Sequence, residues 1–373
     1  MILNLLRERE SLWDVLRRET RPIYLYGMGD GAQKALTAAS QFGVPVAGVF
    51  ASDGYVRGQS FAGFPVKTLG QVEEEAGEPV ILLCFAAFQP ELMGWIHALS
   101  QRHTLYVPDL PVVGEELFTW EYAAAHEGEL DQVYRLLADD RSRQVLVDLL
   151  DFKVSGKLCY LDRCTSQRAE DLGPAVLRLT EKERYLDLGA FDGDTLAELW
   201  QIAGGWAHAI AVEPDSKNHR RLLERAQREG YGDLECHNLA VSDQPGEFRF
   251  RAKEGRHCAL TQAGKGVVPV ETVDNLLAGR PVTYMKLDVE GEELPALRGA
   301  AQTIRRWGPK LSVAAYHRSE DLFRLPLYLH SLRPDYRFYL RKHPYIPAWE
   351  IILYGVTESE ILGKTTKNEE DPA

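Results

Sequence analysis

Short apolar runs alternate with longer stretches in which Leu, Val and Ala recur at helical spacing, and this alternation organises the chain. Leu or Trp recurs among charges from Leu3 to Glu19, which predicts an amphipathic helix. Ile23–Tyr26 predicts a strand, Gly27–Ala32 a turn opening a helix to Phe42, and Val46–Phe50 a second strand closing near Asp53. Pro79–Phe88 and Thr104–Val107 read as two further strands. Strands interleaved with helices in this way build a parallel, doubly wound sheet.

From Glu115 to about Thr180 the strand signal fades. Phe118–Leu150 has helical spacing (Val133, Leu136, Leu137), and Gly156–Gly173 reads as a loop, so the segment is expected to be a helical connector and lid. A second strand–glycine turn–helix unit opens at Arg184–Asp187. Further strands are expected at Ala209–Glu213, Leu234–Val241, Tyr284–Glu290 and Leu311–Tyr316. Tyr336–Leu340 and Trp349–Gly355 follow, on either side of the turn His343–Pro347. The predicted fold class is α/β, with two Rossmann-like parallel-sheet domains (1–114 and 181–358) joined by a helical connector (115–180). The polar end, 359–373, is expected to fray.

At 373 residues the chain exceeds one ordinary core, which agrees with two domains. A formal charge of -12, from 43 Lys and Arg against 55 Asp and Glu, argues against a nucleic-acid partner. The longest apolar run, Val80–Phe88, is far short of a bilayer span, and the charged start of the chain does not read as a secretory signal. Five scattered cysteines with no Cys-x-x-Cys pair give no zinc or disulfide framework. The expected setting is a reducing cytoplasm.

The strongest chemical signal is Tyr185-Leu-Asp-Leu-Gly-Ala-Phe-Asp-Gly-Asp-Thr195. Gly189 and Gly193 allow a tight turn after a strand, and Asp194 or Thr195 can cap the next helix. Asp187, Asp192 and Asp194 add carboxylates that repel a pyrophosphate and attract a cation, unless they are only caps and surface acids. Glu213 closes the next strand, close to the ~20 residues after the turn at which an acid can take ribose hydroxyls. Asn238 reads equally as a base-edge contact or a turn residue. Alternation places Lys286, Asp288 and Glu290 on one face of a strand that would otherwise be apolar on both faces. His317, at the end of the following strand, is a candidate base or a polar cap.

Together, Asp187–Thr195, Val212-Glu-Pro214, Asn238-Leu-Ala240, Val270–Asp274 and Lys286–Glu292 resemble the FkbM family of S-adenosylmethionine-dependent methyltransferases. The resemblance covers Tyr185 to Val356. It implies a class I methyltransferase sheet with a terminal antiparallel strand (Trp349–Gly355) beside the fifth, and O-methylation of a sugar, glycan or natural product. It further implies that S-adenosylmethionine is held by Asp187, Gly189, Ala190, Phe191, Gly193, Asp194 and Thr195, with Glu213 and Pro214 at the ribose and Asn238 and Ala240 by the adenine. Asp288 and Glu290 would face the methyl group and acceptor. Asp288, Glu290 and His317 are then the candidate bases, and Lys286 a group that orients a carboxylate or steadies charge. Asp288, Glu290 and His317 could also hold a divalent metal, but their spacing is not diagnostic and no metal is assigned. Nothing is carried onto His257–Leu260, which is less typical of the family.

In the first unit, Gly27-x-Gly29-x-x-Ala32 with Asp53 satisfies the dinucleotide fingerprint; Lys34 favours a phosphate there and Asp30 opposes one. That unit has three readings: a nucleotide or nucleotide-sugar site, a scaffold for a homodimer or partner, or an NAD site that would make the chain an oxidoreductase. A noncatalytic nucleotide sensor is a further alternative for the whole chain. Acceptor contacts are expected from the connector and from Phe152–Arg168 and His343–Pro347, where Tyr160, Tyr345 and Trp349 are either stacking groups or packing.

Overall fold

A computed structural model describes residues 1–252, 258–261 and 266–361. Of the end expected to fray, 359–361 belong to a short helix, Glu358–Ile361, and 362–373 lie outside these residues, as does the atypical His257. The chain forms two compact units. One comprises Met1–Tyr134, Arg143–Ser166 and Lys342–Glu350, the other Arg135–Ser142, Gln167–Arg341 and the segment from Ile351 onward. The helical stretch read as one connector is therefore shared between them. Among the described residues, no helix is long and apolar enough to cross a membrane.

The first unit is built on a six-stranded sheet: β1 (Ile23–Tyr26), β2 (Val46–Phe50), β3 (Ser60–Phe61), β4 (Phe64–Lys67), β5 (Val80–Leu83) and β6 (Thr104–Tyr106). Their order is β3-β4-β2-β1-β5-β6, parallel apart from the β3–β4 hairpin. The helix Asp30–Gln41 buries Ala32, Ala35, Ala38 and Ala39, small residues that let it lie close to the sheet. The expected single helix Leu3–Glu19 is two short pieces, Ile2–Leu5 and Leu12–Arg17. Between them the Arg7 and Glu8 amides donate to Asp151 Oδ1 (2.8 and 2.9 Å), so these groups serve a tertiary contact instead of a helical ladder. The expected loop 156–173 is partly helical, at Leu158–Cys164 and Arg168–Glu170.

The second unit carries a seven-stranded sheet and a small four-stranded one. Its strands are β7 (Arg184–Leu188), β8 (His208–Val212), β9 (Leu234–His237), β10 (Ala240–Val241), β11 (Gly246–Ala252), β12 (Cys258–Thr261), β13 (Gly266–Glu271), β14 (Tyr284–Leu287), β15 (Lys310–Ala314), β16 (Tyr336–Lys342) and β17 (Ile351–Thr357). The large sheet runs β16-β17-β15-β14-β7-β8-β9, parallel from β15 to β9 with β17 antiparallel to β15, as expected of the terminal strand. Its core includes Leu186 and Leu188 on β7, Met285 and Leu287 on β14, and Leu311 and Val313 on β15. The four-stranded sheet, β10-β13-β11-β12, had no counterpart in the expected elements. The single strand expected over Leu234–Val241 is divided between the two sheets, β10 pairing with β13.

Candidate active site

The site lies at the carboxyl ends of β7, β8, β14 and β15, where open α/β sheets bind ligands. β7 gives way to a turn in which the Gly189 and Ala190 amides both donate to Val212 O (2.9 and 3.0 Å), tying the turn to the end of β8. A Cβ on Gly189, at φ +80°, would stand 1.8 Å from Asp288 O, so only glycine lets the β7 and β14 turns meet. Gly193 (φ +85°) packs against Leu222 and Arg225 of the helix Ser216–Glu229. Phe191 and Glu290, one in each turn, have φ of 48° and 56°. Such left-handed backbone is costly for side-chain-bearing residues and concentrates at functional turns.

Beneath the turns, Asp187 has no exposed surface and Lys286 very little. Lys286 Nζ lies 3.2 Å from Asp187 Oδ1 and donates to Gly189 O (2.7 Å), while Thr195 Oγ1 donates to Asp187 Oδ2. Burial lowers the Lys286 pKa, but Asp187, Asp288 and Asp194 outweigh it and hold the ammonium charged. The pair thus forms the floor of the turn. This corrects the expectation that Asp187 lines the ligand: Lys286 orients a carboxylate, and that carboxylate is Asp187. Asp192 pairs with Arg225 at 3.0 Å, leaving Asp194, at the start of the helix Asp194–Ala203, as the exposed acid of the turn. Fewer free negative charges surround the turn than its sequence suggested.

Glu213 is buried at the end of β8, its Oε2 accepting from the Phe191 amide (2.9 Å) and its Oε1 from the Asp215 amide (2.8 Å). Burial pushes its carboxyl up to about 7, against the lowering effect of those two amides. Asp215 caps the helix Ser216–Glu229 by accepting from the Lys217 and Asn218 amides. Asn238 Nδ2 donates to the carbonyls of Glu213 and Pro214 (both 2.9 Å), and Ser216 Oγ donates to Asn238 Oδ1 (3.0 Å). Asn238 is therefore a brace of the β8 turn, the turn role among its two readings. Ala240 is buried in the small sheet with Val268 and Val270.

β14 stops at Leu287, so strand alternation does not extend to Glu290. Glu293 explains the stop: its Oε1 accepts from the Val289 and Gly291 amides (2.9 and 3.4 Å), diverting them from a strand ladder. Asp288 and Glu290 are brought together in this turn, each with a side chain 30% exposed. Both face His317, which has no exposed surface: Nε2 lies 3.5 Å from Asp288 Oδ1 and 3.6 Å from Glu290 Oε2, and Nδ1 lies 2.9 Å from Glu293 Oε1. Burial lowers the His317 pKa, but Glu293, Asp288 and Glu290 prevail and carry it to about 10. The carboxylates around the ring thus favour its protonated form, which suits a charge partner better than a general base. Glu293 escaped the sequence reading; the doubled acid Glu292-Glu293 after Gly291 was its one visible trace.

In the first unit, Lys34 Nζ donates to Pro111 O (2.9 Å) and Val112 O (3.0 Å), so it is engaged with carbonyls and not poised for a phosphate. Asp53 lines a cavity of about 310 Å³ with Tyr26, Phe50, Ser52 and Trp95. Tyr160 is buried with its hydroxyl donating to Glu8, and Tyr345 packs with Phe88 and Trp349.

A parallel sheet with one antiparallel strand, a glycine turn after β7 and an acid closing β8 define an α/β methyltransferase domain. Residues 187–346 match the methyltransferase FkbM domain. The crystal structure of the methyltransferase FkbM from Methylobacillus flagellatus KT is similar over 92% of both chains, with a TM-score of 0.72 and 22% identity. An rRNA methylase from Streptococcus thermophilus is similar over 48% of this chain and 89% of its own, with a TM-score of 0.33 and 14% identity. The fibrillarin of Aeropyrum pernix, solved with natively bound S-adenosyl-L-methionine, is similar over 48% and 67%, with a TM-score of 0.31 and 13% identity. These last two likenesses are too distant to bear on the acceptor of this chain. No curated protein matches the chain.

Proposed function

We propose that this domain transfers the methyl group of S-adenosylmethionine to a hydroxyl oxygen of a small-molecule or glycan acceptor. The observation that carries the reading is Glu213, a buried carboxylate closing β8 directly beside the glycine turn, where a vicinal diol would meet it. The ribose of the donor supplies that diol, and the turn Gly189–Gly193 leaves room for its methionine part. Asp288 and Glu290 then stand at the edge where the sulfonium and acceptor meet, and their negative charge favours the cationic donor.

The chemistry asks little else of the protein. As the acceptor oxygen attacks the methyl carbon, the carbon–sulfur bond breaks, the sulfonium becomes a neutral thioether, and the acceptor proton passes to a carboxylate. Asp288 and Glu290 are the groups for that proton, since His317 already carries one. Alignment provides the larger share: in-line positioning is worth up to ~7–11 kcal/mol in the best intramolecular models.

Candidate sugars, glycans and secondary metabolites incubated with methyl-labelled donor should yield a labelled product by mass spectrometry. Asp288→Ala should depress turnover far more than donor affinity; turnover within a fewfold of wild type would withdraw the assignment. A thermal-shift panel of S-adenosylmethionine, its demethylated product, NAD, NADP and nucleotide-sugars should show stabilisation by the first two. Stabilisation by NAD alone would overturn the reading.

A further inference from the structure

His317 is enclosed on both edges by carboxylates, yet neither ring nitrogen makes a hydrogen bond of good geometry, and nor does the buried Glu293 Oε2. A buried polar group without such a bond is costly and calls for an explanation. Two features point beyond an ion pair. Glu293 lies on the Nδ1 edge, and Nε2 is directed at Asp288 and Glu290. A metal-binding histidine has a similar arrangement, one nitrogen beside a carboxylate, here at 2.9 Å, and the other facing the ion. The distances agree. Nε2 stands 3.5 and 3.6 Å from the two carboxylate oxygens, too far for good hydrogen bonds. Ligands ~2.1 Å from a shared ion at near-tetrahedral angles are spaced about 3.4 Å apart. Asp288, Glu293 and His317 offer ligand atoms that all lie within 4.8 Å of one another, a group that does not include Glu290, whose Oε2 reaches the cluster through Nε2 at 3.6 Å.

We propose that His317 Nε2, Asp288 and Glu290 bind a divalent first-row cation, Nε2 releasing its proton to solvent as the ion binds, with Glu293 as the positioning residue that fixes the ring. One imidazole with two carboxylates suits manganese, iron or zinc better than a thiolate-seeking metal. Because Asp288 and Glu290 remain partly open to solvent, the ion would keep a position for an oxygen ligand. That ligand would be the acceptor hydroxyl, made more acidic by the cation. This last role rests on the methyl-transfer reading; the binding of the ion does not.

The full chain, stripped with EDTA and dialysed, is titrated with manganese chloride while free Mn(II) is followed by electron paramagnetic resonance, and with zinc chloride by calorimetry. One ion per chain at micromolar affinity is expected. His317→Gln should abolish binding, and Glu293→Gln should weaken it by about 10–100-fold. Asp288→Asn, at a partly exposed position, gives the same test should the His317 variant fail to fold. No binding at millimolar metal, or binding unchanged in both His317→Gln and Asp288→Asn, would overturn the proposal and leave the cluster as an imidazolium ion pair. Calorimetry with S-adenosylmethionine on the same metal-free samples keeps the two readings apart. Donor binding without metal binding refutes this site alone, and metal binding without donor binding refutes the methyl-transfer reading alone.

Discussion

The two sheets share a backbone device and differ in what surrounds it. After β1, as after β7, a glycine turn leads into a helix, and in both a glycine meets the carbonyl that ends the neighbouring strand. A Cβ on Gly31 would lie 2.3 Å from Cys84 O, and one on Gly189 would lie 1.8 Å from Asp288 O. In the first unit that neighbour continues as buried Leu82, Leu83 and Cys84, and Lys34 is occupied with carbonyls. In the second it continues into Asp288 and Glu290, above the buried Lys286–Asp187 pair. A glycine turn supplies close approach only; the residues at the end of the adjacent strand decide whether the approach has chemistry.

The comparison is most severely tested at the two glycines. Gly189→Ala and Gly31→Ala should each destabilise their own unit by about 4 kcal/mol, because a backbone carbonyl cannot move away cheaply. Only Gly189→Ala should abolish binding of S-adenosylmethionine in calorimetry; equal loss in Gly31→Ala would end the distinction. Next come the lysines. Lys286→Met strands the buried Asp187 and should cost about 3–5 kcal/mol in thermal unfolding. Lys34→Met removes a half-buried amine from two carbonyls and should cost only about 1 kcal/mol.

Glu213→Ala should weaken the donor by about tenfold or more, since charge-assisted hydrogen bonds contribute ~1.5–3 kcal/mol each. Its pH dependence sharpens this. With the carboxyl raised to about 7 by burial, the empty site is largely protonated at pH 6 and ionised at pH 8. Ribose hydroxyls donate best to the ionised form, so donor affinity should rise about tenfold between those values, and Glu213→Gln should flatten the rise. Asn238→Ala should have the smallest effect, about 1 kcal/mol in donor binding through a loosened Glu213–Ser216 turn, and no effect on the pH profile.

Both parallel sheets were legible because buried parallel strands are continuous apolar runs: Val46–Phe50 coincides with β2, and the expected strand Ala209–Glu213 overlaps β8. The small sheet escaped although Glu247-Phe-Arg-Phe-Arg251 alternates, since β10 and β11 are fixed by pairing with β13, which lies further along the chain. Strand ends were overrun at Tyr284–Glu290 because the signal that stops β14 is a side chain from beyond the turn, Glu293. The engagement of the acids of the β7 turn was not legible: Asp192 meets Arg225 and Asp187 meets Lys286 across distances in sequence that no local spacing encodes.

Local spacing alone therefore settled the alternation of elements and the glycine turns, since periodicity and turn chemistry act over a few residues, while the methyltransferase type came from the resemblance of the motifs to a known family. Only the folded chain could assign protons and partners. Burial and neighbouring charge are properties of a site in space: they moved Glu213 to about 7 and His317 to about 10, leaving one carboxylate to be ionised by its ligand and one imidazole favoured in its protonated form.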